Sequence, residues 1–160
     1  MIKQVRADYN APEIEKGVQK FWKDNKAYEK TKEYRSEGKK FYFCDGPPYT
    51  TGKIHLGTAM NKTVKDILVR YWRMNGLNVR DQPGFDMHGL PIEVQVEKKI
   101  GVHSKQQIEQ EVGIDKFVKT CQKFASELRV SMTEEFKQLG VWMDWDNPYE
   151  TLRLDYMESA

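Results

Sequence analysis

KFYFC (40–44), DGP (45–47) and PYTTGKIHLGT (48–58), read as one run, decide the fold. The first five residues are short and rich in aromatics, the composition of a buried strand. Asp45-Gly46-Pro47-Pro48 then stops it, because proline removes a backbone donor and cannot continue a helix or a central strand. Past Gly57 and Thr58 the period changes: Val64, Leu68, Tyr71 and Trp72 fall at helical spacing, and Gly76 supplies the stop. Residues 77–82 form a weak second strand, ended by Pro83-Gly84. Strand, glycine-containing loop, helix and strand in this order predict an α/β fold and half of a parallel, nucleotide-binding sheet.

The loop has a chemistry of its own. It delivers the chain to a helix N-terminus, where unpaired N–H groups and the positive end of the helix dipole face one spot suited to phosphate. A histidine there, His55, can donate to a phosphoryl oxygen as charge builds during transfer. Gly52 and Gly57 permit close approach of backbone and ligand. The competing reading is that His55 only caps local backbone. Neither GxGxxG nor GxxxxGK[ST] occurs, so the two commonest phosphate loops are excluded.

Outward from this run, the N-terminal side predicts a helix with Asn10 as N-cap and Pro12 just inside. Ile14, Val18, Phe21 and Trp22 share one face of it; it is expected to fade near Tyr28, and Ser36-Glu37-Gly38 reads as a turn. On the C-terminal side a helix should begin near Pro91, and Ser104 with Gln107 forms a capping box for a short one. From 115 to 139 Phe117, Cys121, Phe124, Leu128, Met132 and Phe136 keep helical spacing, a core stripe closed by Gly140. The tail, 141–160, carries five acids against one arginine.

The 160 residues suffice to bury a core, and 39% hydrophobic against 31% charged residues is the balance of a globular chain. Lys+Arg 26 against Asp+Glu 24 leaves a formal charge of +2, so net charge names no polyelectrolyte partner. No apolar run is long enough for a bilayer, and the first residues lack a secretory h-region. Two cysteines, Cys44 and Cys121, make neither a disulfide framework nor a zinc knuckle. A cytoplasmic chain without membrane or metal site is expected.

PYTTGKIHLGT resembles the HIGH signature of the class I aminoacyl-tRNA synthetases. A second block, PGFDMHGLPIE (83–93), resembles the PGWDxHGLPIE block of their isoleucyl branch, with Phe85 in place of tryptophan. Valyl members carry a PGTDHAGIATQ-like block there and leucyl members a GWDxFGLPAE-like one. Asn61-Lys62, Lys65-Asp66, Leu139-Gly140-Val141 and Asp144-Trp145 extend the likeness along essentially the whole chain. One position departs: Thr58 stands where the signature has its second histidine, and a hydroxyl carries no proton-linked positive charge.

The resemblance implies isoleucine activation by ATP, with its Mg2+, to isoleucyl-adenylate, and transfer to tRNA(Ile). It implies the first half of a Rossmann-like catalytic domain over 39–141, a helical extension over 1–38 and a connector over 142–160 toward an editing insertion. No KMSKS-like run and no editing motif occur, so a fragment lacking the rest of the synthetase is expected. His55 and Thr58 match catalytic, phosphate-contacting positions, and Pro48, Gly52 and Gly57 complete the ATP loop, with Gly57 beneath adenine or ribose. Asp86 matches the carboxylate that receives the substrate ammonium. Gly46 and Pro47 match the wall of the amino-acid pocket, with His88 beside it. Read without the family, Asp86 is a turn or N-cap residue and His88 a packed histidine; Lys53, Lys62 and Lys65 read either as contacts to ATP or the tRNA acceptor end or, the commoner case, as a solvated helix face. Cys44 reads as the structural end of a buried strand, and the four tryptophans as packing. Two other classes compete: a small stand-alone nucleotidyltransferase, which needs a lysine loop not seen here, and a non-catalytic binding module.

Overall fold

The structure is a computed structural model that describes residues 9–159; the expectations resting on residues 1–8 lie outside it. Pro12 sits in the first turn of α1 (Ala11–Asp24), where its missing N–H costs nothing. The helix does not fade toward Tyr28. It ends at Asn25, Lys26 turns to a positive φ of 49°, and α2 (Ala27–Tyr34) starts afresh. No residue of α1 is buried, and Phe21 is 62% exposed. The expected apolar face is thus mostly open; its Trp22 meets Trp142 edge-on, with ring centroids 5.0 Å apart.

The strands form two separate two-stranded parallel ladders. β1 (Lys40–Tyr42) pairs with β2 (Asn78–Arg80), Phe41 opposite Val79, and the Phe43 N–H still donates to the Arg80 carbonyl at 3.2 Å. β3 (Gly84–Phe85) pairs with β4 (Tyr149–Glu150), while Tyr49 bridges to Asp86. The stretch 78–86 therefore runs between the first block's loop and β4. Cys44 falls beyond the β1 ladder and is exposed, so it does not end a buried strand.

The chain between β3 and β4 packs on Phe85 of β3. α4 (Leu90–Ile100) begins with Pro91 in its first turn, and Ser104 caps the single turn α5 (Lys105–Gln107), accepting from the Gln107 N–H at 3.2 Å. A π-helical turn, Ile108–Val112, leads into α6 (Ile114–Gln138). Ile92, Val96, Phe117, Met132, Phe136, Met143 and Trp145 form the core with Phe85. Each fully buried large apolar side chain contributes about 1.5–3 kcal/mol. Trp145 stacks on Phe136 at 5.4 Å. A last helix, α7 (Leu154–Ser159), follows β4.

The helix after the loop 48–55, α3 (Leu56–Met74), forms where its period predicts but faces the other way. Val64, Leu68, Tyr71 and Trp72 are 37–50% exposed. The buried residues are Lys62, Asp66, Val69 and Arg73, a stripe at the same spacing. Charge matching makes this possible, since buried charges persist only when paired. Lys62 pairs with Asp45 just after β1, and Arg73 pairs with Asp81 just after β2, at 2.6 Å. Asp66 takes Arg70 Nε at 2.7 Å and the Trp142 N–H at 2.8 Å. Asp81 also receives the Tyr28 hydroxyl at 2.9 Å, which ties α2 to the foot of the sheet.

Candidate functional site

His55 is the N-cap of α3, in extended backbone conformation. The Thr58 N–H donates to its Nδ1 at 3.3 Å, leaving the lone pair on that nitrogen. In the neutral ring the proton therefore sits on Nε2, 3.1 Å from Thr58 Oγ1. The capping role considered from the sequence is present, and it fixes the tautomer in which Nε2 is the donor. Gly57 makes room for this ring: a Cβ there would lie 3.0 Å from His55 Cε1. At Gly52 a Cβ would meet nothing within 4 Å, so packing does not require glycine there.

A cavity of about 230 Å³ opens at this helix start, lined by Gly46, Pro48, His55, Gly57, Thr58, Asn61 and Lys62. Five of the residues expected to bind substrate thus share one hollow. Pro47, Gly52, Asp86 and His88 do not line it. Lys62, expected on a solvated face, is 1% exposed beneath the loop. Burial pulls its ammonium below the ordinary lysine value, and the Asp45 carboxylate pulls the other way.

Asp45 is the hub under the first block. Its carboxylate accepts from Lys62 Nζ, from Lys65 Nζ at 2.7 Å and from the Gly84 N–H at 2.9 Å. Lys65 Nζ also reaches the Gly46 carbonyl at 3.0 Å. The Tyr149 hydroxyl donates to the Asp45 carbonyl, and burial, then Asp45, raises that phenol well above its ordinary range. None of these roles was legible in the motif itself. The available signal was the second stripe of α3, Lys62, Asp66, Val69 and Arg73, read against two aspartates at strand ends.

The second block is joined to the first through backbone. The Asp86 N–H donates to the Pro48 carbonyl at 2.9 Å, and the Thr50 N–H to the Asp86 carbonyl at 3.0 Å. The Asp86 side chain is half-buried, and Thr151 Oγ1 lies 3.4 Å from its Oδ1. His88 is exposed and borders a separate hollow of about 150 Å³ with Met87, Ile92, Phe117 and Cys121. Its exposure does not match the packed histidine of the alternative reading. Among the described residues no three His, Cys, Asp or Glu side chains come together to hold a metal, and no helix is long and apolar enough to cross a membrane.

Isoleucine–tRNA ligase of Thermococcus kodakarensis is 55% identical over 153 residues, covering 96% of this chain and 14% of that protein. The Methanosarcina barkeri isoleucine–tRNA ligase is 54% identical over 160 residues, 100% of this chain and 15% of the relative. The chain therefore spans about 15% of the length of the curated relatives it matches. Among solved structures, the ternary complex of Agrobacterium radiobacter K84 agnB2 LeuRS with tRNA and LeuAMS superposes with a TM-score of 0.67 at 28% identity. That match covers 93% of this chain and 17% of the LeuRS chain. The family model described as tRNA synthetases class I (I, L, M and V) matches residues 17–160, and the chain belongs to that family.

Proposed function

We propose that these residues are the amino-acid-activating segment of an isoleucine–tRNA ligase. The observation that carries the reading is identity at more than half of all positions, along the whole chain, to ligases of that one specificity. The loop and cavity at the start of α3 support it chemically. In this reading the isoleucine carboxylate attacks the α-phosphorus of ATP and pyrophosphate leaves. Such in-line transfer needs positioning and charge stabilisation more than a nucleophilic side chain.

His55 Nε2–H turns from Thr58 Oγ1 to a phosphate oxygen, and the Thr58 hydroxyl and the free N–H groups of α3 supply further donors. Pro48, Gly52 and Gly57 shape the nucleotide side of the site. Asp86 receives the substrate ammonium, and Gly46 and Pro47 wall the side chain. Mg2+ arrives with ATP, held by its phosphates, and tRNA(Ile) is the acceptor in the cytoplasm. The segment 39–141 with its parallel strands is read as the first half of a Rossmann-like catalytic domain, 1–38 as its helical extension and 142–160 as the connector onward.

The test is ATP–pyrophosphate exchange in a full-length ligase carrying these 160 residues. Exchange that depends on isoleucine, and much less on leucine or methionine, is the expected result. Exchange driven best by another amino acid overturns the specificity, and none with any amino acid overturns the reading.

A further inference from the structure

Three donors converge on one buried carboxylate between the two halves of the proposed substrate site. Asp45 is 1% exposed. Its Oδ2 takes Lys62 Nζ from α3 and the Gly84 N–H from β3, and its Oδ1 takes Lys65 Nζ at 2.7 Å. Gly84 lies two residues before Asp86, the proposed ammonium acceptor. Lys62 lies about two helical turns beyond His55 and lines the same hollow. Lys65 also holds the Gly46 carbonyl at 3.0 Å, so the same ammonium fixes the start of the amino-acid wall. Hydrogen bonds that carry charge on one or both partners are the strong ones, and here they join three separate segments.

We infer that Asp45, Lys62 and Lys65 are positioning residues for adenylate formation: they lock the phosphate loop of α3 to the strand that presents Asp86. The inference rests on the proposed activation of isoleucine and assigns these residues no contact with substrate. Each half-site can bind its own ligand without the lock, because His55 and Thr58 hold the loop locally and Asp86 is held by Pro48 and Thr50. The backbone pair of Asp86 with Pro48 and Thr50 already joins the two blocks. What the lock adds is the placement of α3, which starts at His55 and Thr58, and so the separation and angle between carboxylate and phosphorus. Reactions of this kind depend steeply on that geometry, and a misplacement of about 1 Å can cost about 100-fold.

The experiment is pyrophosphate exchange and single-ligand binding in a full-length ligase carrying this segment, with rates expressed per titrated active site. In Lys65→Met the dissociation constants for isoleucine alone and for ATP alone stay within about threefold. Its kcat falls by about tenfold or more, toward the ~100-fold of a displaced reactant. Lys65→Arg, which keeps a cation that can reach both oxygens, recovers most of the loss. Asp45→Asn, which keeps an acceptor for Gly84 and loses the charge, behaves as Lys65→Met. Lys65 is partly exposed, at 18%, so its variants decide the matter even if Asp45→Asn fails to fold. A merely structural role lowers melting temperature and the number of active sites but leaves kcat per site unchanged, and that result overturns the inference. So does a loss confined to one ligand's affinity, or an arginine no better than methionine. A parent enzyme with no isoleucine-dependent exchange overturns both the inference and the function beneath it. An active parent with unaffected variants overturns the inference alone.

Discussion

The Tyr149 ring occupies the space that a side chain at Gly84 would need. A Cβ built on Gly84 falls within the ring, against its Cζ, Cε1 and hydroxyl oxygen, while the two residues are direct partners in the β3–β4 ladder. The same tyrosine reaches past Gly84 to the Asp45 carbonyl, so the absent side chain lets β4 lock onto the loop that follows β1. Gly84→Ala should therefore cost about 1–3 kcal/mol of stability, as overpacked sites do. In a Tyr149→Ala background the same change should cost far less. Urea unfolding of the four proteins in this cycle measures the coupling, and equal costs in both backgrounds would show that the ring is not the obstacle.

His55 has two roles that can be separated by substitution. His55→Ala removes the N-cap, worth about 1 kcal/mol. It also removes the proposed donor to the transition state, worth about 10²- to 10³-fold in rate. His55→Asn should restore the cap, since asparagine is among the best N-cap residues, without restoring the rate. Melting curves together with single-turnover adenylate formation in a full-length ligase check both. An asparagine variant with near-normal rate would reduce His55 to a cap.

The sequence made α6 legible because Phe117, Met132 and Phe136 repeat on one face and that face is buried. It located α3 equally well and misjudged its orientation. Periodicity reports that a helix has an apolar stripe and does not say whether the stripe meets this chain. On α3 two stripes compete, and the buried one is charged because Asp45 and Asp81 wait at the strand ends to neutralise it. Lys62 illustrates the difficulty: its partner is seventeen residues away in sequence and adjacent only once β1 and α3 are packed. The break at Lys26 was hidden for a different reason. A lysine with positive φ leaves no glycine or proline mark. The loop before α3 and the helix start at His55, by contrast, were readable, since glycine, histidine and a change of period lie within a few residues of one another.

Asp66 gives the fold a pH dependence of definite sign. Burial raises its pKa above the ordinary aspartate value, against the opposing pull of the Trp142 N–H and Arg70. In the window from about 3.9, the unfolded value, up to the raised native value, the native state binds more protons than the unfolded chain. The contribution of this group is then fully present below the window and is lost as pH rises through it. Asp66→Asn keeps an acceptor for the Trp142 N–H and cannot ionise. Relative to the parent, it should gain stability as pH rises from about 3.9 toward neutrality. Urea midpoints at several pH values measure the slope, and a stability difference independent of pH would contradict the assignment.

The outward face of α3 is the last consequence of its inverted burial. Leu56, Met60, Ile67 and Met74 are 59–85% exposed, and Leu68 and Tyr71 are half-exposed beside them. Trp72 finds a partner in the stacked ring of Phe41, at 5.3 Å. Contiguous apolar surface of this kind is uncommon on a protein that stays monomeric, and β1 adds an open edge next to it. Since this chain spans about 15% of its curated relatives, the face is expected to be covered by other parts of a full-length ligase. The isolated 160-residue chain should therefore self-associate, and the double substitution Ile67→Lys with Leu68→Lys should return it toward a monomer. Both side chains lie away from the buried stripe of Lys62, Asp66, Val69 and Arg73, so the fold of the isolated chain should survive. In the full-length protein the same pair should do the opposite of harmless. It would place two charges in an apolar contact and lower the melting temperature, because unpaired buried charge is costly. Sedimentation velocity on the fragment and calorimetry on the whole protein give the two readings. A fragment that is monomeric before substitution, or a full-length protein indifferent to it, would mean that water is the native neighbour of this face.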